Sequence, residues 1–352
     1  MPQTRLSKQL GSHFPLIQAP MAGGATTPSL VAAVCNAGAI GSLGAGYLTA
    51  NELRENILKT RALTDKPFAV NLFIPEIAVA SQQQIQQTCK VITNACVELK
   101  HEVKPINPPY TPSFEEQMKV IVEERIPIFS FTFGVLAPQW VTQLKRNSTI
   151  LIGTATTVEE ALLLEKSGID ILVVQGKEAG GHRGTFLGKA EDALLELREL
   201  LPLLKTQVKI PVIAAGGIMN SNHITETLAL GAMGIQMGTA FLTCVESGIH
   251  PKYKEVLLTS RKDNTVLTTA FSGKFARGIR NKFTERLTNQ ENSILAYPIQ
   301  NALTRSMRVE AAKQNCTDFM ALWAGQAAHL CQEKSAADLI RELTNEVIEF
   351  NQ

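Results

Sequence analysis

Eight short apolar runs, each followed by a stretch of helical character, set the strongest limit on what this chain can fold into. The runs are PLIQAP (15–20), AIGSLG (39–44), FAVNLFI (68–74), IPIFSFT (126–132), TILIGTA (149–155), DILVVQG (170–176), PVIAAGG (211–217) and GIQMGTA (234–240). Between them lie the helical candidates TPSLVAAVCNAG, TANELRENILKTRAL, FEEQMKVIVEER, PQWVTQLKRN, TVEEALLLEKSG, ALLELRELLPLLKTQ and NSNHITETLALG. Near-continuous apolarity in a strand means that both faces are covered, as in parallel sheets. Start and stop signals agree with this division. Thr27 precedes Pro28 and Gly38 closes that segment; Thr157 precedes Glu159 and Glu160, and Gly168 closes the next. Eight such units predict a (β/α)8 barrel, an α/β TIM barrel. An open doubly wound sheet fits less well, because glycine-rich ends recur after many strands.

Two stretches interrupt the repeat. Residues 75–112 form an insertion after the third strand, with a helix and then a proline-rich loop. Residues 245–325 form a second, after the eighth strand, read as a smaller helical domain. The chain then divides into a barrel of residues 1–244 and 326–352, and a helical substrate or lid domain of residues 245–325. The segment SAADLIRELTNEVIEF returns to close the barrel. Apolar residues are 45% of the chain, enough for such a core, and a net charge of +2 offers no nucleic-acid groove or polybasic membrane surface. No apolar run reaches the roughly 18 residues of a membrane span, and the N-terminus lacks a signal peptide's apolar core. Six scattered cysteines without a CxxC pair read as reduced thiols of a cytoplasmic protein, with no metal site expected.

In a barrel of this kind chemistry sits at the C-terminal strand ends. AAGGI and QMGTAF close strands seven and eight, where Gly216, Gly217, Gly238 and Thr239 can present backbone N–H groups to a phosphate. Tight βα turns alone would explain one such end; two adjacent ends with Gln236 and Thr239 favour the phosphate. Asn71 and Gln175 are amides at the ends of apolar strands. A flat ring of mixed donors and acceptors, such as an isoalloxazine, would satisfy them, as would neighbouring backbone. Met21, Ala22 and Gly23 of PMAGG can lie against such a ring or simply form a strand-to-helix turn. His182 stands in KEAGGHRGTF, among Gly180, Gly181 and Gly184, which leave its loop free to approach a ligand. An imidazole there can take a proton, return one or hold an anion. Glu178 orders the loop or pairs with Arg183 and is given no catalytic part.

Taken together, QAPMAGGATTPSLVAAVCNAGAIGSLGAGYL, NLF, SFTFG, VVQGKEAGGHRG, VIAAGGI and IQMGTAFL resemble the nitronate monooxygenase family, formerly 2-nitropropane dioxygenases. EAGGHRG and SFTFG look most like its first class, and the likeness runs over nearly the whole chain. The resemblance implies an FMN-dependent (β/α)8 enzyme with a smaller second domain. It places FMN contacts on Met21, Gly23, Asn71, Gln175, Gly180 and Gly217, the phosphate loop on Gln236, Met237, Gly238 and Thr239, and the catalytic histidine on His182. GKFARGIRNKF, LAYPIQN and LWAGQ also resemble the family, so Tyr297 and Trp323 are expected to face the substrate rather than merely pack the insertion. The implied reaction oxidises an alkyl nitronate with O2 to a carbonyl compound and nitrite, without reduced nicotinamide. Propionate 3-nitronate is the expected substrate and detoxification the role. A cation would then meet the substrate carboxylate, and Arg183, Lys274 and Arg277 are the candidates. Two other readings stay open: an FMN- and NADH-dependent enoyl-acyl-carrier-protein reductase, which shares a similar Glu-Ala-Gly-Gly-His run, and a non-catalytic barrel that binds a phosphorylated ligand. A homodimer is compatible with the sequence.

Overall fold

The structure, a computed structural model, describes residues 4–350. Eight parallel strands are built from the eight apolar runs: β1 (Leu16–Gln18), β2 (Ser42–Gly44), β3 (Ala69–Phe73), β4 (Ile128–Thr132), β5 (Ile150–Ala155) and β6 (Ile171–Gln175), then, beyond a two-residue strand β7 (Gly181–His182), β8 (Val212–Ala215) and β9 (Gly234–Met237). Their order is β1-β9-β8-β6-β5-β4-β3-β2, and a parallel bridge between Ile17 and Ile40 joins the two ends, so the sheet closes as a TIM barrel. Closure leaves no exposed edge in the main sheet.

Side-chain parity explains the apolar runs. Ile17, Ala69, Ile128, Ile152, Ile171, Val173, Ile213 and Ala215 fill the inside, while Leu16, Val70, Phe129, Leu151, Leu172, Val174, Val212 and Ala214 pack outward beneath the helices. Successive residues of a strand point to opposite faces. The interior stack ends downward on Leu6 and Leu10 of an N-terminal helix, Arg5–Leu10, both fully buried in the same cluster. That plug, capped by Thr4 and stopped by Gly11, had no signal among the barrel repeats.

The expected helices form with the expected caps. Thr27 accepts from Leu30 N at the start of Pro28–Asn36, and Thr157 accepts from Glu160 N at the start of Val158–Lys166. A side-chain oxygen there satisfies a helical N–H that has no partner within the helix. The first insertion carries the helix Gln82–Ala95, capped by Ser81, and then loop.

The 245–325 segment is not purely helical. Besides helices such as Pro251–Leu258, Lys282–Leu287 and Arg305–Lys313, it contributes β10 (Thr265–Thr268) and β11 (Ala276–Ile279). These pair antiparallel, and β11 pairs in turn with β7 of the histidine loop, Ala276 opposite His182 and Arg277 opposite Gly181. Alternation in TVLT and ARGI is too short to be read as strand, because their ladder partners are remote in sequence. Among the described residues no helix is long and apolar enough to cross a membrane.

Candidate active site

Parity also selects the residues that line the barrel mouth. Two residues beyond each interior side chain lies another inward one: Met21 and Ala19 after Ile17, Asn71 after Ala69, Ser130 and Thr132 after Ile128, Thr154 after Ile152, Gln175 after Val173, Gly217 after Ala215. With Gly238 and Thr239, they enclose a cavity of about 380 Å³ at the C-terminal strand ends. Gln175, Ala215 and Gln236 lie abreast on three adjacent strands, as do Asn71 and Ser130 on two others.

The structure brings together most of the residues expected from sequence. Met21, Gly23, Asn71, Gln175, Gly180, His182, Gly217, Gln236, Met237, Gly238, Thr239 and Trp323 all border this one cavity. Tyr297 does not, but its ring packs edge-on to His182 at 6.2 Å between centroids. Gly216 and Gly217 have φ of 131° and 69°, both in the region that favours glycine. A side chain at either position would be strained.

Two site readings are revised in detail. Gln175 borders the cavity, yet its amide donates to His182 O (3.0 Å) and accepts from Gly184 N (2.8 Å). It therefore fixes the histidine loop from both sides. Asn71 donates to Ser130 Oγ at 2.9 Å, while its Oδ1 accepts no hydrogen bond among the described residues. Gly180 is glycine because a Cβ would lie 2.5 Å from Ala324 C and Gly325 N, so its absence lets those backbones meet. Gly181, with φ of 74° and open space around it, supplies the turn that the loop needs.

Arg183 is a correction. The side chain is 1% exposed and points away from the cavity. Its guanidinium donates to the carbonyls of Gly176 (2.5 Å), Gln175 (3.0 Å) and Ala193 (3.1 Å), tying the loop to the end of β6. Burial draws its pKa down to about 10, with Glu178 opposing. The other two expected cations are likewise engaged. Lys274 pairs with Glu76 and sits 4.6 Å from the Phe133 ring centre, and Arg277 donates to Lys177 O at 3.0 Å.

His182 is held from the insertion. Its Nε2 lies 2.9 Å from Ser272 Oγ, which also lies 3.0 Å from Lys274 O. The Arg183 N–H donates to Phe275 O at 2.8 Å. Trp323 at 5.3 Å, Phe133 at 6.0 Å and Tyr297 surround the imidazole. Burial first, then the charges of Lys274 and Arg308, pull its pKa down from 6.5 to about 3, so it is neutral at physiological pH.

Sequence reasoning missed Ser272, Tyr47, Ser130, Thr132 and Arg308. Parity within SFTFG would have found Ser130 and Thr132. Ser272, Tyr47 and Arg308 arrive through long-range packing and carry no local signal.

Comparison with known proteins decides the family. The sequence matches the nitronate monooxygenase family over residues 3–346. A probable nitronate monooxygenase of Bacillus subtilis is 43% identical over 345 residues, covering 97% of this chain and 99% of that one. The chain belongs to the nitronate monooxygenase family. It is therefore a flavin-dependent oxidoreductase. The crystal structure of a nitroalkane oxidase from Streptomyces ansochromogenes superposes with a TM-score of 0.91 at 36% identity, covering 98% of this chain and 99% of that one. FabK of Thermotoga maritima is more distant on both measures, with a TM-score of 0.78 at 28% identity over 100% of this chain and 98% of that one.

Proposed function

We propose that the cavity binds FMN and that the enzyme oxidises alkyl nitronates with O2 to a carbonyl compound and nitrite. The observation that carries this reading is a neutral histidine, fixed by Ser272 and enclosed by aromatic rings, bordering a cavity lined with glycine backbone and amides. The donors suit the cofactor. Gly217, Gln236, Met237, Gly238 and Thr239 would hold the phosphate, with Gly216 beside them in the cavity wall. Met21, Gly23, Asn71, Gln175 and Gly180 would border the ring, where the unpartnered Asn71 Oδ1 can accept from a ring N–H. A bound flavin supplies the capacity to accept electrons from an electron-rich carbanion-like substrate.

The rest is the work of this chain. Ser272 has one hydroxyl proton and the Lys274 carbonyl can only accept, so a proton given there makes His182 donate through Nε2. Nδ1 then carries the lone pair, and no described residue takes it. That nitrogen can receive the acidic carbon-bound proton of a neutral nitroalkane and so form the nitronate. Phe133, Tyr297 and Trp323 surround the imidazole, which strengthens the attraction between the imidazolium and the nitronate once the proton has moved. Residues 1–244 and 326–352 form the flavin-binding barrel in this reading, and 245–325 the unit that completes and covers the substrate side. The first three and last two residues of the barrel range lie outside the described residues. Propionate 3-nitronate is the substrate proposed, with detoxification the role.

The test uses the purified protein. It should be yellow, consume O2 and release nitrite with propionate 3-nitronate or ethylnitronate, and leave NADH untouched with crotonyl-thioester. NADH-dependent reduction of the thioester without oxygen uptake would establish the enoyl reductase reading instead. Colourless protein that takes up no FMN would establish a non-catalytic barrel.

A further inference from the structure

Arg308 is a cation without a counterion inside the cavity. It rises from the helix Arg305–Lys313 and borders the cavity, whose lining contains no carboxylate and no lysine. One edge of its guanidinium is anchored, Nη2 donating to Asn301 O at 2.8 Å and to Asn301 Oδ1 at 3.0 Å. Nε is buried without a partner, and among the described residues Arg308 forms no salt bridge. The Tyr47 hydroxyl, buried beside that of Tyr297, is electrostatically coupled to this guanidinium and also borders the cavity. A desolvated guanidinium is costly unless an anion meets it, and its planar fork matches a carboxylate.

Position distinguishes that anion from a cofactor phosphate. Tyr47 follows β2, and its ring packs on Phe73 at the end of β3, 5.4 Å between centroids. In the closed strand order, β3 and β4 lie across the mouth from β8 and β9, whose glycines form the phosphate cradle. Arg308 also bears on His182, lowering its affinity for a proton.

We propose that Arg308, with the Tyr47 hydroxyl, receives a carboxylate carried by the substrate at the end remote from the reacting carbon. Arg308 is thereby the residue that selects acidic nitronates over neutral-tailed ones. The inference deepens the nitronate reading and rests on it for the reaction.

The experiment compares 3-nitropropionate with 1-nitropropane as binding probes, read by tryptophan fluorescence since Trp323 borders the cavity, and propionate 3-nitronate with propyl-1-nitronate in oxygen uptake. Each pair differs by the carboxylate. The wild-type flavoprotein should bind the acid about 10–100-fold more tightly, the usual worth of a charge-assisted contact. Arg308→Met should abolish this preference and raise KM for propionate 3-nitronate by a similar factor, with kcat and the propyl-1-nitronate KM affected several-fold less. Arg308→Lys, which keeps the charge without the fork, should fall between and shows that the fold tolerates change there. Equal wild-type affinity for both probes would overturn the proposal. So would equal losses on both in Arg308→Met, or loss of bound flavin in either variant. If no nitronate is consumed but the acid preference persists and depends on Arg308, the reaction assigned above fails and the anion site stands.

Discussion

His182 shows how environment decides what a residue can do. In water its imidazole would titrate near neutrality, but burial and two nearby cations hold it neutral down to about pH 3. It thus serves as a neutral proton acceptor, and it holds no anion by charge before it has taken up a proton. Its partner Ser272 and the Gln175 brace fix which ring nitrogen is available. Replacing it by Asn should leave flavin bound while slowing turnover of neutral nitroalkanes about 10²–10⁴-fold, the usual contribution of a positioned base. Unchanged oxygen uptake would remove it from proton transfer. The depressed pKa also has a sign. Below about pH 6.5 the unfolded chain binds a proton that the folded chain does not, so stability falls as pH drops toward 3, by at most about 1.4 kcal/mol per unit. Thermal melts of wild type and His182→Asn between pH 4 and 7 should show a shallower decline in the variant; parallel curves would contradict the burial.

At the scale of elements, the barrel strands were readable because each residue answers to a covered face. Ile128, Ser130 and Thr132 alternate with Phe129 and Phe131, and the same two-residue period that fills the core also delivers polar groups to the mouth. The short strands β7, β10 and β11 were not readable, since each has two to four residues and a partner from a remote segment. The Arg5–Leu10 helix escaped notice because its role as plug depends on the barrel being closed above it. Leu6 is fully buried there, and Leu6→Ala should cost about 2–5 kcal/mol with a cavity left at the barrel floor. Denaturant unfolding measures this; a loss below 1 kcal/mol would show that the helix does not seal the core. Flavin affinity should change little, because the plug lies at the opposite end from the site.

Across the whole molecule, the insertion and the barrel make one site. Ser272, Phe275 and β11 grip the histidine loop, the Trp323 ring packs on His182, and Gly325 N donates to Thr239 Oγ1 at 3.0 Å. Amides of residues 181–183 and 276–279 should therefore exchange with solvent as a unit. Ser272→Ala should accelerate exchange in both segments and reduce turnover of neutral nitroalkanes, since His182 loses its tether. Exchange that quickens in 276–279 alone would show the loop to be independently rigid.

The repeat of apolar runs committed this chain to a closed barrel, because eight strands covered on both faces have few other ways to bury them. The same repeat placed Asn71, Gln175, Gly217 and Gly238 at one end of the barrel, since parity and strand length are local properties. Which charges reach the cavity was settled by packing between distant segments. Arg183 follows the histidine directly, yet its long side chain is drawn to unpaired carbonyls behind β6, whereas Arg308, over a hundred residues away, is swung into the mouth by a helix of the insertion. A side chain's neighbours in sequence fix its reach, but the unsatisfied groups around it in space fix its direction.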